Sequence, residues 1–160
     1  MLSIADIARD GVEALLGRYR LKLNIENDAA KISGSFWGDS EAGIIETNVY
    51  VRRDTPVHSL LHETCHIICM TEARRSSLYR DAGADDLEES AVCFLQIVLA
   101  DQLADVGRDR LMFDMDAWGY SFRRGSTREW FESDAEDAAE FLRNHGLLTA
   151  AGKATFALRQ

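Results

Sequence analysis

The stretch His62-Glu63-Thr64-Cys65-His66 places two histidines four positions apart, with a glutamate directly after the first one. On a helix, residues four positions apart lie on one face about one turn apart, so both imidazoles point the same way. Each imidazole can give a neutral nitrogen to Zn²⁺, and Glu63 can take a proton from a zinc-bound water whose pKa has fallen to about 7. The stretch therefore predicts half of a zinc hydrolase site.

The residues around this pentad predict a buried helix. Asp54-Thr55-Pro56 supplies an N-cap candidate followed by proline at the first helical position, which is a strong helix start. Apolar residues flank the pentad on both sides, namely Val57, Leu60, Leu61, Ile67, Ile68 and Met70. Because buried histidines need polar partners, this setting favours metal binding over an accidental pair of surface histidines.

A catalytic zinc site commonly has three protein ligands, and a second buried helix, predicted from Asp85 to Leu99, can supply the third. Glu88 lies on the apolar stripe of that helix, whereas Glu89 shares its face with Cys93 and Gln96. An unpaired buried carboxylate is unfavourable, and zinc binding removes that cost. We therefore predict Glu88 as the third ligand and keep Glu89 as the alternative. A simpler interpretation of Glu88 is an acidic first turn favoured by the helix dipole.

Together these motifs resemble the gluzincin metallopeptidases, in which a His-Glu-x-x-His helix precedes a separate helix that carries a glutamate ligand. The segment from Glu88 to Phe94 resembles the Glu-x-x-Ala/Ser-x-x-Phe pattern of that second helix. The stretch from Gly43 to Met70 resembles the ImmA/IrrE branch, in which a strand ending in asparagine, here Ile44 to Asn48, precedes the active helix. The resemblance extends from Gly43 to Leu99 and implies a zincin-like fold, a zinc cofactor and peptide-bond hydrolysis.

Two positions depart from the family pattern. Gluzincins of this pattern commonly have an aspartate four residues after the ligand glutamate, where it orients a metal-bound histidine, and here that position is Val92. Such outer partners change metal affinity or activity by about 10- to 100-fold, so either another group orients the imidazole or the site is weaker. Ala100-Asp101-Gln102 also follows the glutamate helix where the ImmA/IrrE branch usually has Met-Pro.

Hydrophobic periodicity along the rest of the chain predicts an α+β fold, with a small twisted sheet between an N-terminal helix and the two site helices. The predicted elements outside the site helices are a helix from Ile4 to Tyr19, strands Leu21 to Glu26, Lys31 to Trp37 and Gly43 to Val51, a turn at Gly38-Asp39-Ser40, and a helix from Arg128 to Asn144 that stops at Gly146. We expect one zincin-like metallopeptidase domain over residues 1–160.

The segment from Gly43 to Asn48 is the last predicted strand before the active helix. If it forms a sheet edge, its backbone groups can pair with an extended peptide, which makes it a candidate substrate rail. An ordinary strand protected by the charges of Glu46 and Arg52 is an equally good interpretation.

Three further residues are candidates for roles at the site. Tyr120 or His145 can donate a hydrogen bond to the oxyanion of a tetrahedral intermediate, although packing or surface roles are the simpler interpretation for both. His58 lies four residues before His62 on the same side of the helix. It can therefore line the cleft, assist catalysis or mimic a ligand, and a solvent-facing role near the first turn is an equally good interpretation.

Composition limits the possible partners and compartment. The net charge of -9 argues against broad attraction to nucleic acid or to an anionic membrane, since such surfaces need clustered lysine and arginine. The first ten residues lack a long apolar run and a basic start, so we expect neither a signal peptide nor a membrane span and a cytoplasmic protein. The three cysteines, Cys65, Cys69 and Cys93, are expected to be reduced and to pack in the core.

These observations predict a zinc-dependent metallopeptidase that acts on a peptide or protein substrate, with His62, His66 and Glu88 binding Zn²⁺ and Glu63 as general base. The main alternative is a non-catalytic module that keeps the zincin fold for protein binding or regulation, with or without bound zinc. Hydrolysis of a non-peptide bond is a third interpretation, because the site chemistry alone does not choose the substrate.

Overall fold

A three-stranded mixed sheet lies ahead of the site helices in the chain. The structure is a computed structural model that describes residues 1–36 and 40–160. Strands β1 (Lys22–Ile25), β2 (Gly43–Ile45) and β3 (Asn48–Val51) have the order β1-β3-β2. The central strand β3 pairs in parallel with β1 and antiparallel with β2.

Helices make up most of the regular structure in the two described ranges, which confirms the predicted α+β class. They are a 3₁₀ helix at Ile4–Asp6 and the α-helices α1 (Arg9–Arg18), α2 (Val57–Cys69), α3 (Glu72–Arg75), α4 (Asp86–Ala100), α5 (Gly107–Trp118), α6 (Thr127–Ser133) and α7 (Glu136–Asn144). Among the helices described, none combines the length and the apolar character needed to cross a lipid bilayer.

The two predicted site helices, α2 and α4, pack against each other at the centre of the fold. Pro56 is the N-cap of α2, so the helix begins one position later than the sequence predicted. Asp85 caps α4, because its side chain accepts a 2.8 Å hydrogen bond from the backbone N–H of Glu88. Helices α5 and α7 cover other sides of α4, and this arrangement explains why almost every face of α4 is buried.

Two predicted strands are corrected by the structure. Residues 31–36 form a turn and irregular backbone instead of a strand, while Trp37 and the predicted turn residues Gly38 and Asp39 lie outside the described residues. The stretch from Gly43 to Val51 is a hairpin of β2 and β3, and Glu46 adopts a φ of 51° at its turn. The 31–36 segment lies so close to β2 that a Cβ on Gly43 would collide with the carbonyl oxygen of Ser33.

The helical segments at the two ends also differ from the prediction. The predicted helix from Ile4 to Tyr19 is a short 3₁₀ helix followed by α1, because Ala8 adopts an extended conformation between them. The predicted helix from Arg128 to Asn144 is two helices, α6 and α7, which are interrupted at Asp134 and Ala135. Helix α5 was not predicted. Gly146 follows the end of α7 with a φ of 71°, as its predicted role as a helix stop requires.

Candidate metal centre

His62, His66 and Glu89 bring three potential ligand atoms together between α2 and α4. Glu89 Oε1 lies 2.9 Å from His62 Nε2, Glu89 Oε2 lies 3.2 Å from His66 Nε2, and the two Nε2 atoms are 3.1 Å apart. Ligand atoms around a tetrahedral zinc, with bonds of about 2.0–2.1 Å, are separated by roughly 3.3 Å. The three side chains therefore fit the spacing that one zinc ion requires.

The electrostatics of the cluster favour a positive charge at the point where these atoms meet. Burial on its own raises the pKa of Glu89, but hydrogen bonds with His62 and His66 lower it far below its usual value. Burial on its own lowers the pKa of His62. Its neighbours Tyr120, Cys93 and Glu89 raise it, and the net pKa lies well above the usual value. A proton on the imidazole or a metal cation can supply the charge that the carboxylate needs.

The structure does not support Glu88 as the third ligand. Glu88 points inward as predicted and is only 4% exposed, but its two carboxylate oxygens accept hydrogen bonds from Nη1 of Arg74 at 3.0 and 2.9 Å. Arg159 Nη1 lies 3.7 Å from the same carboxylate. The buried charge is therefore compensated by guanidinium groups and does not need a metal. Adjacent helix positions differ by about 100° in direction, so Glu89 faces the histidines instead.

Glu63 lines a cleft with a volume of about 440 Å³ beside the histidines. The cleft is formed by one face of α2, by Glu89 and Cys93 of α4, by Glu41 ahead of β2, and by the segment from Trp118 to Phe122. Burial raises the pKa of Glu63, although the charges of His62 and His66 partly oppose this shift. A carboxylate with a raised pKa, facing an open cleft, is suited to accept a proton.

His58 and Tyr120 lie together in the wall of this cleft. His58 is 2% exposed, so the alternative of a solvent-facing residue is wrong. Its Nδ1 is 3.1 Å from the Tyr120 hydroxyl, and its ring tilts against Trp118. Burial lowers the pKa of His58 to about 4 and raises that of Tyr120 to about 12. His145 packs on Phe141 instead, so only Tyr120 of the two oxyanion candidates lines the cleft.

Gln96 is a site residue that the sequence analysis did not select. Its side chain is fully buried, with Oε1 2.7 Å from His62 Nδ1 and Nε2 3.3 Å from the backbone oxygen of His58. The sequence feature that could have identified Gln96 is its position on α4, because it shares a helix face with Glu89 and Cys93. A buried glutamine on the face that carries a candidate metal ligand can be the hydrogen-bond partner of a candidate ligand histidine.

The predicted substrate rail is not available on β2. This strand is at the edge of the sheet, but its outward N–H and C=O groups are already paired. The N–H of Ile44 donates to Gly34 O at 3.1 Å, and the oxygen of Ile44 accepts from the N–H of Arg80 at 2.9 Å. Glu46 N–H donates to Leu78 O at 3.0 Å. An extended peptide cannot add to this edge without displacing these segments.

The three cysteines are free and buried, as predicted. Burial raises the pKa of the Cys65 and Cys69 thiols, so both behave as packing residues. Cys93 differs in position, because it lines the cleft.

Comparisons of the chain with protein-family models, with curated proteins and with solved structures gave no match. The residues of the site and their geometry are therefore what indicate a function for this chain.

Proposed function

We propose that this protein is a zinc-dependent metallopeptidase with a zincin-like fold. The observation that carries the proposal is the convergence of His62, His66 and Glu89 next to Glu63 in an open cleft. Two histidines and one carboxylate form a ligand set that catalytic zinc sites use, with a further position left for water or substrate. The resemblance of the pentad to gluzincins supports the same activity, whereas the α4 pattern places the ligand glutamate one residue earlier, at Glu88.

Each of these side chains has a distinct role in the proposed reaction. His62, His66 and Glu89 would hold the metal, which when bound would polarise the scissile carbonyl and acidify a water. Glu63 accepts the proton of the attacking water as general base and can return it to the leaving amine. Tyr120 is in the wall of the same cleft, where its O–H can donate to the developing oxyanion.

The proposed substrate is a peptide or protein segment, and the proposed compartment is the cytoplasm. The cleft has a volume of about 440 Å³, and it is lined by both polar groups and aromatic rings, including Trp118 and Phe122. Three free cysteines suit a reducing compartment. A net charge of -9 disfavours nucleic acid as the substrate and favours basic polypeptides over acidic ones.

The Glu63→Gln variant tests the proposal. Glutamine keeps the shape of the side chain but cannot accept the proton, so turnover of a peptide library should fall by about 10²- to 10⁴-fold. Bound zinc, measured by elemental analysis, should remain at one equivalent. Glu140→Gln on the exposed side of α7 is the matched control and should keep full activity. Unchanged turnover in Glu63→Gln would rule out the proposed role.

One observation favours a different function, a non-catalytic module that binds proteins. Cys93 lies next to His62 and lines the cleft, so its thiolate as a fourth ligand would close the coordination position that a hydrolase needs. The absorption spectrum of the Co²⁺-substituted protein distinguishes the two functions, because a thiolate bound to Co²⁺ gives a strong charge-transfer band. Under the peptidase proposal this band is absent, and Cys93→Ser binds zinc as tightly as the wild type.

A further inference from the structure

The side-chain amide of Gln96 bridges the two site helices at a position where its orientation can be deduced. Its Nε2 is 3.3 Å from the backbone oxygen of His58, and its Oε1 is 2.7 Å from Nδ1 of His62. A backbone carbonyl can only accept a hydrogen bond, so the amide nitrogen must face His58. The amide oxygen then faces His62, and because that oxygen can only accept, His62 must carry a proton on Nδ1.

This proton position determines which atom of His62 is directed to the metal centre. With Nδ1 protonated, the metal-binding lone pair is on Nε2, the atom that lies 2.9 Å from Glu89 and 3.1 Å from His66 Nε2. The hydrogen bond also fixes the ring plane, since Gln96 is fully buried and is held at its other end by α2 itself. Gln96 therefore controls both the tautomer and the orientation of one ligand.

We infer that Gln96 is the positioning residue for His62, and that it takes the place of the acidic partner missing from α4. This inference rests on the proposed metal site. The position four residues after Glu88 is Val92, and the position four residues after Glu89 is Cys93. Neither offers a carboxylate. Gln96 lies seven residues after Glu89, two helical turns along the same face, and reaches His62 from there.

The neutral amide makes His62 a different ligand from one paired with a carboxylate. A carboxylate partner increases the basicity of the imidazole, whereas an amide oxygen orients it with less effect on its charge. The Gln96→Glu variant keeps an acceptor for Nδ1 of His62 but loses the donor to His58 O, so it should bind zinc more tightly than a variant without an acceptor. Gln96→Met removes the acceptor at similar volume, and its affinity should fall by about 10- to 100-fold.

The experiment measures zinc dissociation constants by chelator competition for the wild type, Gln96→Met, Gln96→Glu and Thr127→Val. Thr127 is a fully buried polar residue of α6 that hydrogen-bonds to Asp116, neither residue lines the cleft, and Thr127 is the control for general loss of a buried hydrogen bond. Its affinity should stay within about twofold of the wild type. Spectra of protein with ¹⁵N-labelled histidine supply a second measurement, because the chain has four histidines to assign.

In the wild type and in Gln96→Glu, these spectra should contain a slowly exchanging proton on Nδ1 of His62, and Gln96→Met should lose it. An unchanged zinc affinity in Gln96→Met, with that proton still protected, would overturn the inference. If Gln96→Met does not fold, rapid exchange of the Nδ1 proton in Gln96→Glu overturns it. Failure of the wild type to bind zinc contradicts the proposed function instead. In that case, slow exchange of the Nδ1 proton of His62 in the metal-free protein still tests whether Gln96 positions this ring.

Discussion

Glu89 and His62 face each other across the contact between α4 and α2, with Oε1 of Glu89 2.9 Å from Nε2 of His62. Glu88, the preceding residue on α4, is directed to Arg74. The two neighbouring carboxylates thus have different partners, one a pair of histidines at an open cleft and the other a guanidinium group. Glu88 therefore forms an internal ion pair, and Glu89 is the carboxylate that we propose as the metal ligand.

The first prediction separates the two glutamates. Glu89→Gln should lose zinc at micromolar concentrations, because the carboxylate supplies the only negative charge among the three proposed ligands. Its folding should change little, since the Glu89 side chain is 45% exposed. Equilibrium dialysis followed by elemental analysis measures the bound zinc.

Glu88→Gln is the matched control and should show the opposite pattern. Zinc binding should remain, while the free energy of unfolding should fall by about 1–3 kcal/mol, because Arg74 loses a charged acceptor. The lower part of that range is expected, since the Arg74 side chain is 36% exposed and water can partly replace its partner. Loss of zinc in Glu88→Gln with retention in Glu89→Gln would restore the original assignment.

The second prediction concerns thermal stability. A metal that binds only the folded chain stabilises it by about 2.7 kcal/mol at a free concentration of 100 times Kd. For a chain of this length, that stabilisation corresponds to an increase in Tm of about 5–10 °C. Calorimetry in chelator and in buffered zinc measures the difference.

His66→Asn is the control for this measurement. The variant lacks one proposed ligand, so zinc should leave its Tm within about 2 °C of the value in chelator. An equal zinc-dependent increase in the variant and in the wild type would mean that the ion binds elsewhere.

The third prediction concerns pH and His58. Burial lowers the pKa of His58 from 6.5 to about 4, with a smaller contribution from His62 and an opposing one from Asp114. The unfolded chain therefore takes up a proton at this residue between pH 6.5 and 4, while the folded chain does not. The stabilisation from His58 is complete above pH 6.5 and is lost as the pH falls to 4, by roughly 3 kcal/mol.

The His58→Gln variant isolates this contribution. Urea unfolding of both proteins from pH 7 to 4, in chelator to exclude metal effects, should give a steeper loss of stability in the wild type. Parallel curves for the two proteins would contradict the assignment of a buried neutral imidazole.

Local signals account for what the sequence predicted correctly. Proline and apolar spacing around the pentad predicted α2 almost to its ends, and the acidic cap with its apolar run predicted α4. Burial of Glu88 was also predicted correctly. Periodicity found these features because each depends on residues within two or three turns of one helix.

The partners of buried groups could not be predicted in the same way. Burial of Glu88 indicated that its charge is compensated, but whether by metal or by guanidinium depends on where α3 brings Arg74. Because α4 is buried on nearly every side, its apolar stripe did not identify the face towards α2. Helix α5 was missed for a related reason, since only four of its residues are buried and its apolar pattern is weak.

The most direct test of the proposed metal centre is anomalous diffraction above and below the zinc absorption edge, from crystals grown without chelator. We predict one zinc peak bounded by Nε2 of His62, Nε2 of His66 and the carboxylate of Glu89, with Glu88 still paired to Arg74. An absent peak after a saturating zinc soak, or a peak bounded by Glu88 instead of Glu89, would contradict the account.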